Sequence, residues 1–258
     1  MLRFRSLGSG SGGNATVIES VSAQGASRVL VDAGFSLKQL EQRLAGAGLA
    51  PSDLDAVFVT HEHGDHIGCA RELALRDRVP LWMSHGTHLA LGAPGLDGML
   101  HLACDGEPVA VGDLELRPFT VPHDAREPLQ LTVGDGDRRI GILTDLGHVT
   151  DHVLLCLGGC SALMMECNHD VDLLDRSSYP PALKRRVGGR HGHLSNAAAA
   201  QAMACLAHAG LGVVVAAHLS AQNNRPELAS QALSGVLRCK PSDIVVADQA
   251  LGTTWMPA

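Results

Sequence analysis

Four candidate metal ligands fall within the six-residue stretch HEHGDH, which begins at His61. In an extended backbone, His61 and His63 point the same way. Gly64 allows the chain to turn and to present Asp65 and His66 from another direction. Because histidine and carboxylate side chains are ordinary ligands of divalent metals, this one segment could serve two neighbouring metal ions. The alternative is a loop of solvated polar residues, which the local density of ligands disfavours.

Three further strand ends each carry an isolated candidate ligand. They are His123 in FTVPHD, Asp145 in GILTDLG and His218 in VVVAAHLS. A lone histidine at a strand end is more often a structural residue, so each position is weak evidence by itself. Together the three residues complete a set of ligands for two metal ions, because an aspartate on its own strand end is well suited to bridge two cations. Three histidines would then complete one site, and Asp65, His66 and His218 the other.

Short apolar, β-branched runs recur along the chain and predict the strands that would position these ligands. The sequence GDGDRR at 134–139 predicts a hairpin turn, and therefore antiparallel pairing in part of the sheet. Helical patterns fit between many of the strands, which favours one α/β domain of packed layers over residues 1–258. The predicted strands are 28–32, 55–60, 80–83, 114–119, 129–133, 139–145, 162–166, 212–218 and 243–248.

Three helices have recognisable start signals. Ser36 with Gln39 three residues later forms a capping-box pattern, and one of two following glycines would end that helix. A second, alanine-rich helix is predicted from Ser195 to His208. Pro226 suits the first turn of a third helix, PELASQALSGVL.

Composition limits the classes of function that the chain can have. With 258 residues and 45% hydrophobic content, it can bury a full core. A formal charge of −7 argues against a protein that coats nucleic acid over its whole surface, so any such contact must be local. No apolar run approaches the roughly 20 residues that cross a bilayer. Seven scattered cysteines without a CxxC pair indicate reduced thiols, and we expect a cytoplasmic protein with no membrane contact.

The order of these ligands resembles that of the metallo-β-lactamase-fold hydrolases, whose signature is an HxHxDH run followed by a His, an Asp and a His. The resemblance spans nearly the whole chain. It implies an αββα sandwich of two mixed sheets flanked by helices, with a site for two divalent ions, Zn²⁺ or Mn²⁺, at one edge. By position it assigns His61, His63 and His123 to one metal, Asp65, His66 and His218 to the other, and Asp145 to both.

Within that superfamily the chain looks like the YycJ or WalJ group of exonucleases. The matching segments are SLGSGSGGNA, VDAGFS, VPHDAREP, LTDLGH, ECNHD, GHLSN and AAHLSAQNN. The glycines of the first segment could cradle a phosphate, although a flexible hairpin explains them equally well. Four polar residues that follow a predicted strand could orient His193 or a metal ligand, or simply cap a helix: Glu166, Asn168, His169 and Asp170.

A basic segment, LKRRVGGRHGHLSN, stands out in this acidic chain. Its last part is similar to the His-Ser-Thr motif of the ribonuclease Z branch, in which a histidine outside the metal ligands protonates the leaving oxygen. Here that histidine is His193. The alternative for the cations is a solvated charged surface, which is what charge runs usually are. We predict that four of them hold phosphates beside the metals: Lys184, Arg185, Arg186 and Arg190.

These observations favour a metal-dependent phosphodiesterase, with DNA preferred over RNA as substrate and a 5′-to-3′ exonuclease as the expected activity. A metal-activated hydroxide would attack, Asp65 would align it, and His193 would act as general acid. Asp145 and His218 lie too close in sequence for the extra domain of the large nuclease branches. Substrate clamping would then come from the core domain or from a second subunit of a homo-oligomer.

Two other classes of function remain open from the sequence. The first is a small-molecule thioester or ester hydrolase of the same fold, similar to glyoxalase II, because the metal site does not choose the substrate. The second is a metal-binding regulatory module without turnover. Aromatic residues amount to 3% of the chain, so a base-stacking platform is not expected and backbone recognition fits better.

Overall fold

The computed structural model describes residues 1–23 and 25–258. Two seven-stranded mixed sheets pack face to face, and helices cover their outer faces. The predicted αββα sandwich is therefore confirmed. No helix in the described part of the chain is long and apolar enough to span a membrane.

The two sheets are built from strands of two to eight residues. In spatial order, the first sheet contains β14 (Met256–Pro257), β1 (Leu2–Gly8), β2 (Ala15–Ser22), β3 (Gly25–Val31), β4 (Ala56–Phe58), β5 (Leu81–Met83) and β6 (Leu100–Leu102). The second contains β13 (Val245–Val246), β12 (Val213–Ala217), β11 (Ala162–Glu166), β10 (Arg139–Leu143), β9 (Leu129–Gly134), β8 (Leu114–Thr120) and β7 (Val109–Val111).

Both sheets are antiparallel on one side and parallel on the other. In the first, pairing is antiparallel from β14 to β3 and parallel from β3 to β6. In the second, it is antiparallel from β7 to β10 and parallel from β10 to β13. The predicted hairpin turn joins β9 to β10. Parallel neighbours end at the same edge of a sheet, so side chains that follow β3 and β4, or β10, β11 and β12, are brought together.

The largest apolar layer lies between the sheets. Phe4 and Phe58 from the first sheet and Leu116 and Ile142 from the second are almost fully buried there. Burial of side chains of this size contributes about 1.5–3 kcal/mol each. The layer therefore holds the two sheets in a defined relative position.

The helices lie on the outer faces and follow local signals. Ser36 and Gln39 form both hydrogen bonds of a capping box. Ser195 accepts a hydrogen bond from the Ala198 amide and begins the alanine-rich helix. The helices are α1 (Leu37–Gly46), α2 (Gly64–Ile67), α3 (Ala70–Asp77), α4 (His85–Ala90), α5 (Asp151–Leu157), α6 (Val171–Arg176), α7 (Pro181–Val187), α8 (Asn196–Leu206) and α9 (Pro226–Leu237). Two single-turn 3₁₀ helices cover Pro51–Asp53 and Pro241–Asp243.

Several predicted boundaries differ from the structure; the strand predicted at 55–60, for example, covers Ala56–Phe58. Two of the differences have a clear local reason. The alanine-rich helix α8 ends at Leu206 rather than at His208, because Ala207 adopts an extended backbone. The strand predicted at 243–248 is reduced to Val245–Val246, since a 3₁₀ turn occupies its first residue. The predicted helix at Pro226 has the expected bounds.

Candidate metal centre

The first group of candidate ligands consists of three histidines. His61 and His63 follow β4, and His123 follows β8 on the other sheet. Nε2 of His61 lies 3.0 Å from Nδ1 of His63, which lies 3.3 Å from Nε2 of His123. Since these nitrogens converge within the distance that a shared cation allows, the three side chains can bind one divalent metal.

The second group contains Asp65, His66 and His218. Asp65 Oδ2 lies 3.6 Å from Nε2 of His66 and 3.5 Å from Nε2 of His218. Asp65 and His66 lie in the one-turn helix α2, which begins at Gly64, where the sequence predicts a turn. His218 follows β12 and has a positive φ of 53°, which turns its side chain into the cluster.

Asp145 lies between the two groups, at the end of β10. Its Oδ2 lies 3.1 Å from Nε2 of His66, and its Oδ1 lies 3.9 Å from Nε2 of His123. The side chain is buried, yet Oδ2 forms no hydrogen bond with any residue among 1–23 and 25–258. A buried carboxylate oxygen without a hydrogen-bond donor is costly unless a cation compensates it. The residues present therefore fit a divalent metal centre.

Electrostatics divide the ligands into two kinds. Burial would lower the pKa of His66 and of His218, but the charge of Asp145 outweighs burial and raises both, so a metal must displace a proton from each. Burial lowers the pKa of His61 well below its usual value, so its imidazole is neutral. Burial alone would raise the pKa of Asp145, but the positive charges of His218 and His66 outweigh it and hold that pKa well below the usual range. Asp145 is consequently a carboxylate at neutral pH.

Groups behind the ligands fix which ring nitrogen faces the site. Asp32, at the end of β3, places its Oδ2 2.8 Å from Nδ1 of His66 and leaves Nε2 for a metal. The carbonyl of Gly192 lies 3.0 Å from Nδ1 of His123 and acts in the same way. Sequence reasoning did not assign Asp32 a role. The signal available was an acidic residue at the end of a strand predicted beside the one that carries the ligands.

Glu166, the last residue of β11, connects two histidines of the site. Its Oε1 lies 2.7 Å from Nδ1 of His193 and 3.1 Å from Nδ1 of His218. Its Oε2 accepts hydrogen bonds from the amides of Leu146 and Leu194. The carboxylate is completely buried, so these four contacts replace its hydration and hold it in one position.

Of the residues that follow Glu166, one supports a metal ligand and another caps a helix, which are the two roles predicted from the sequence. Asn168 donates a hydrogen bond from Nδ2 to the carbonyl of His218 and supports that ligand. Asp170 accepts a hydrogen bond from the Leu173 amide and caps α6. Orientation of the site and helix capping are therefore both present within one short segment.

His193 lies beside the ligands with one ring nitrogen available. Burial would lower its pKa, but the charge and hydrogen bond of Glu166 outweigh burial and raise the pKa above the usual value. Nε2 forms no hydrogen bond to a described residue, and the ring lines a cavity of about 400 Å³ together with Asp65, Asp145 and His218. His193 can therefore present a proton to a molecule in this cavity.

The four predicted phosphate-binding cations occupy different positions. Arg186 lines the cavity, with Nε 2.6 Å from Oδ2 of Asp124. Lys184 donates a hydrogen bond to the backbone carbonyl of Asp175, and Nη2 of Arg190 lies 3.4 Å from Nε2 of His148. Arg185 is exposed on α7 and does not line the cavity. Of the predicted cluster, the structure thus brings Arg186 to the ligands and leaves the other three outside.

The first hairpin loop, residues 9–14, supports the metal-binding segments from behind. The Asn14 amide donates to the carbonyl of Asp65 at 2.8 Å, and Ser9 Oγ accepts from the His218 amide at 2.9 Å. Gly34 packs so closely here that a Cβ would lie 1.7 Å from the Asp65 carbonyl oxygen. The loop is the hairpin between β1 and β2; it bonds the segments that carry the ligands, and its Ser11 lines the same cavity as Asp65.

Comparison with known proteins identifies the family. The model of the beta-lactamase superfamily domain matches residues 27–219. Exodeoxyribonuclease YycJ of Bacillus anthracis is 35% identical over 244 residues, which cover 93% of this chain and 90% of that protein. Exodeoxyribonuclease WalJ of Streptococcus pneumoniae serotype 2 (strain D39) is 34% identical over 232 residues, which cover 88% of this chain and 85% of that protein.

A solved structure shares the fold at lower sequence identity. The metallo-beta-lactamase fold protein YhfI from Bacillus subtilis matches with a TM-score of 0.75 and 15% identity, over 100% of this chain and 99% of that chain. This likeness supports the arrangement of sheets and helices described above. The chain belongs to the β-lactamase superfamily, with the metallo-β-lactamase fold and with YycJ and WalJ as relatives.

Proposed function

We propose that this protein is a metal-dependent nuclease that degrades DNA from a chain end, in the 5′-to-3′ direction. The observation that carries the proposal is the position of His193. Glu166 holds its Nδ1 at 2.7 Å, while its ring lines the same cavity as the candidate ligand Asp145. Phosphodiester hydrolysis requires a proton for the leaving oxygen, and a histidine in this position can supply it. The names of the two relatives, both exodeoxyribonucleases, support DNA as the substrate.

We further infer that the centre binds two divalent cations, Zn²⁺ or Mn²⁺. The all-histidine group, His61, His63 and His123, has the donor set of a zinc site. The second group contains a carboxylate, and such sites also accept manganese. Asp145 contacts both groups and is the candidate bridge. Because the ligands come from both sheets, we propose that residues 1–258 act as one domain.

The residues of the chain have separate tasks in this mechanism. Bound divalent cations supply Lewis-acid polarisation of the phosphate and lower the pKa of water at the centre. Asp65, which lines the cavity, orients the attacking water. His193 gives its Nε2 proton to the departing oxygen, while Glu166 keeps the ring oriented through Nδ1. Arg186 neutralises charge on the phosphate.

The apolar side of the cavity keeps one alternative function open to test. Leu183 and Val187 line it together with the candidate ligands and would also suit a small acyl thioester. A binding module without turnover would use neither this side of the cavity nor the proton donor.

The test uses the purified protein loaded with Zn²⁺ or Mn²⁺. Substrates are duplex and single-stranded DNA and RNA, labelled at either the 5′ or the 3′ end, and an acyl thioester. We expect shortening of DNA from its 5′ end. The His193→Gln variant should degrade DNA about 10²–10⁴-fold more slowly. Its metal content, measured by elemental analysis, should remain two ions per chain.

The exposed His101, which stacks on Trp82 away from the centre, provides the matched control. His101→Ala should degrade DNA at the wild-type rate. Turnover of the thioester with no cleavage of nucleic acid would replace the proposal with small-molecule hydrolysis. Metal binding without turnover of any substrate would favour the regulatory module.

A further inference from the structure

One side of the cavity is formed by side chains at helical spacing. Leu183, Arg186 and Val187 line it from α7, three and four residues apart, and therefore share one face of the helix. Tyr179 lies four residues before Leu183 and lines the same cavity. Arg185, on another face of α7, does not. This side, which we call the α7 wall (Tyr179, Leu183, Arg186 and Val187), combines an aromatic ring, two aliphatic side chains and one cation.

Charged and polar side chains line another part of the same cavity, namely Asp65, Asp145, His193 and His218. A molecule that contacts both parts is expected to combine an anionic group with an apolar, flat group. A nucleotide has this combination, with its phosphate beside the candidate metals and Arg186, and its base against the α7 wall. A volume of about 400 Å³ is in the range of small-ligand pockets and suits one nucleotide.

Tyr179 is the aromatic residue in this wall and the one tyrosine of the chain. It is half-buried, and its backbone amide donates to Ser177 Oγ, so the backbone position is held. Its hydroxyl forms no hydrogen bond within residues 1–23 and 25–258, so the side chain does not serve as an internal polar contact. Low aromatic content argues against a platform for several bases. It does not argue against a single stacking position.

We propose that Tyr179 stacks on the base of the terminal nucleotide, so that the substrate is a DNA end whose last nucleotide is unpaired. The inference rests on the proposed nuclease function and makes it more specific. Because the cavity accepts one nucleotide and has an aromatic face for its base, a single-stranded or frayed end binds directly. A fully paired blunt end must first open, which costs unpairing and unstacking free energy.

The test compares DNA with a normal terminal nucleotide and DNA whose terminal nucleotide lacks its base, at the 5′ or the 3′ end. Base–aromatic stacking corresponds to roughly a 5- to 150-fold change in affinity per base. Wild type should therefore show a KM lower by that factor for the normal end, with a similar kcat. Tyr179→Phe should preserve this preference. Tyr179→Ala should remove it by raising the KM for normal DNA alone.

Val171, which is 56% exposed on α6 and does not line the cavity, provides the matched control as Val171→Ala. Wild type that degrades DNA without a preference for the terminal base would overturn the inference and leave the nuclease function intact. An equal loss on both substrates in Tyr179→Ala would also overturn it, since that indicates a structural role. If wild type cleaves no DNA at all, the proposed function fails and the inference fails with it.

Discussion

The carboxylate of Glu166, the last residue of β11, lies 2.7 Å from Nδ1 of His193, which lies between α7 and α8. The same oxygen is 3.1 Å from Nδ1 of His218. One buried carboxylate thus orients the candidate general acid and a candidate metal ligand together. Loss of its charge should affect proton donation and metal binding at the same time.

Replacement of Glu166 by glutamine tests this shared role. The amide keeps the size of the side chain, but it has one acceptor oxygen and cannot accept from both imidazoles and both backbone amides. Loss of a partner behind a ligand lowers metal affinity or activity by about 10- to 100-fold. We expect a decrease of that size in the DNA degradation rate and in metal affinity, measured by titration against a competing chelator. Glu115→Gln, on the exposed end of β8, is the control, and a Glu166→Gln enzyme with unchanged activity would contradict the assignment.

Asp32→Asn tests the support behind His66. Asp32 has a φ of 61°, and asparagine is one of the few other residues that readily adopt this left-handed conformation. The backbone should therefore be retained while the negative charge facing Nδ1 is lost. Metal affinity should fall by about 10- to 100-fold, with little change in the unfolding temperature measured by circular dichroism. Asp113→Asn, at an exposed turn, should bind metal normally. Equal affinity in the two variants would show that Asp32 does not orient its histidine.

Arg186→Ala tests whether the cation at the cavity binds phosphate while its neighbours on the same helix do not. Each phosphate contact contributes about −0.9 to the slope of log K against log salt for duplex DNA. We expect Arg186→Ala to raise the KM for DNA and to reduce the slope by about one contact. Arg185→Ala should change neither quantity, since Arg185 lies outside the cavity. If the two variants weaken binding equally, the whole basic segment holds phosphates, as the sequence alone suggested.

Gly34→Ala tests the close contact between the metal-binding loop and the segment that follows β3. A methyl group would lie 1.7 Å from the Asp65 carbonyl oxygen and 2.8 Å from the Asn14 amide nitrogen, so the backbone must move. We expect the free energy of unfolding in urea to decrease by about 1–3 kcal/mol, with weaker metal binding. Gly46→Ala, with open space around its Cβ in α1, should be neutral or slightly stabilising. Wild-type metal affinity in Gly34→Ala would show that this contact does not position Asp65.

Much of the fold could be predicted because local patterns determine it. Apolar, β-branched runs placed β3 to β5 and β8 to β13, the Ser36–Gln39 capping box placed α1, and Pro226 placed the start of α9. These runs place neither β1 nor β2, although the glycines between them indicate a hairpin. The short strands β6, β7 and β14 could not be predicted. They are two or three residues long and exist only because neighbouring strands pair with them.

The sequence by itself determined the donor set, because the HEHGDH run and the strand-end residues His123, Asp145 and His218 carry the required chemistry in their identities. Only the tertiary structure decided how these donors converge, since they come from strands of two different sheets. It also decided which residues support or surround them. Asp32 faces His66 because β3 and β4 are parallel neighbours. Arg186 reaches the cavity because α7 presents one face to it, and Tyr179 lines the cavity from the segment just before that helix. Such relationships depend on distances between remote segments, which residue spacing does not contain.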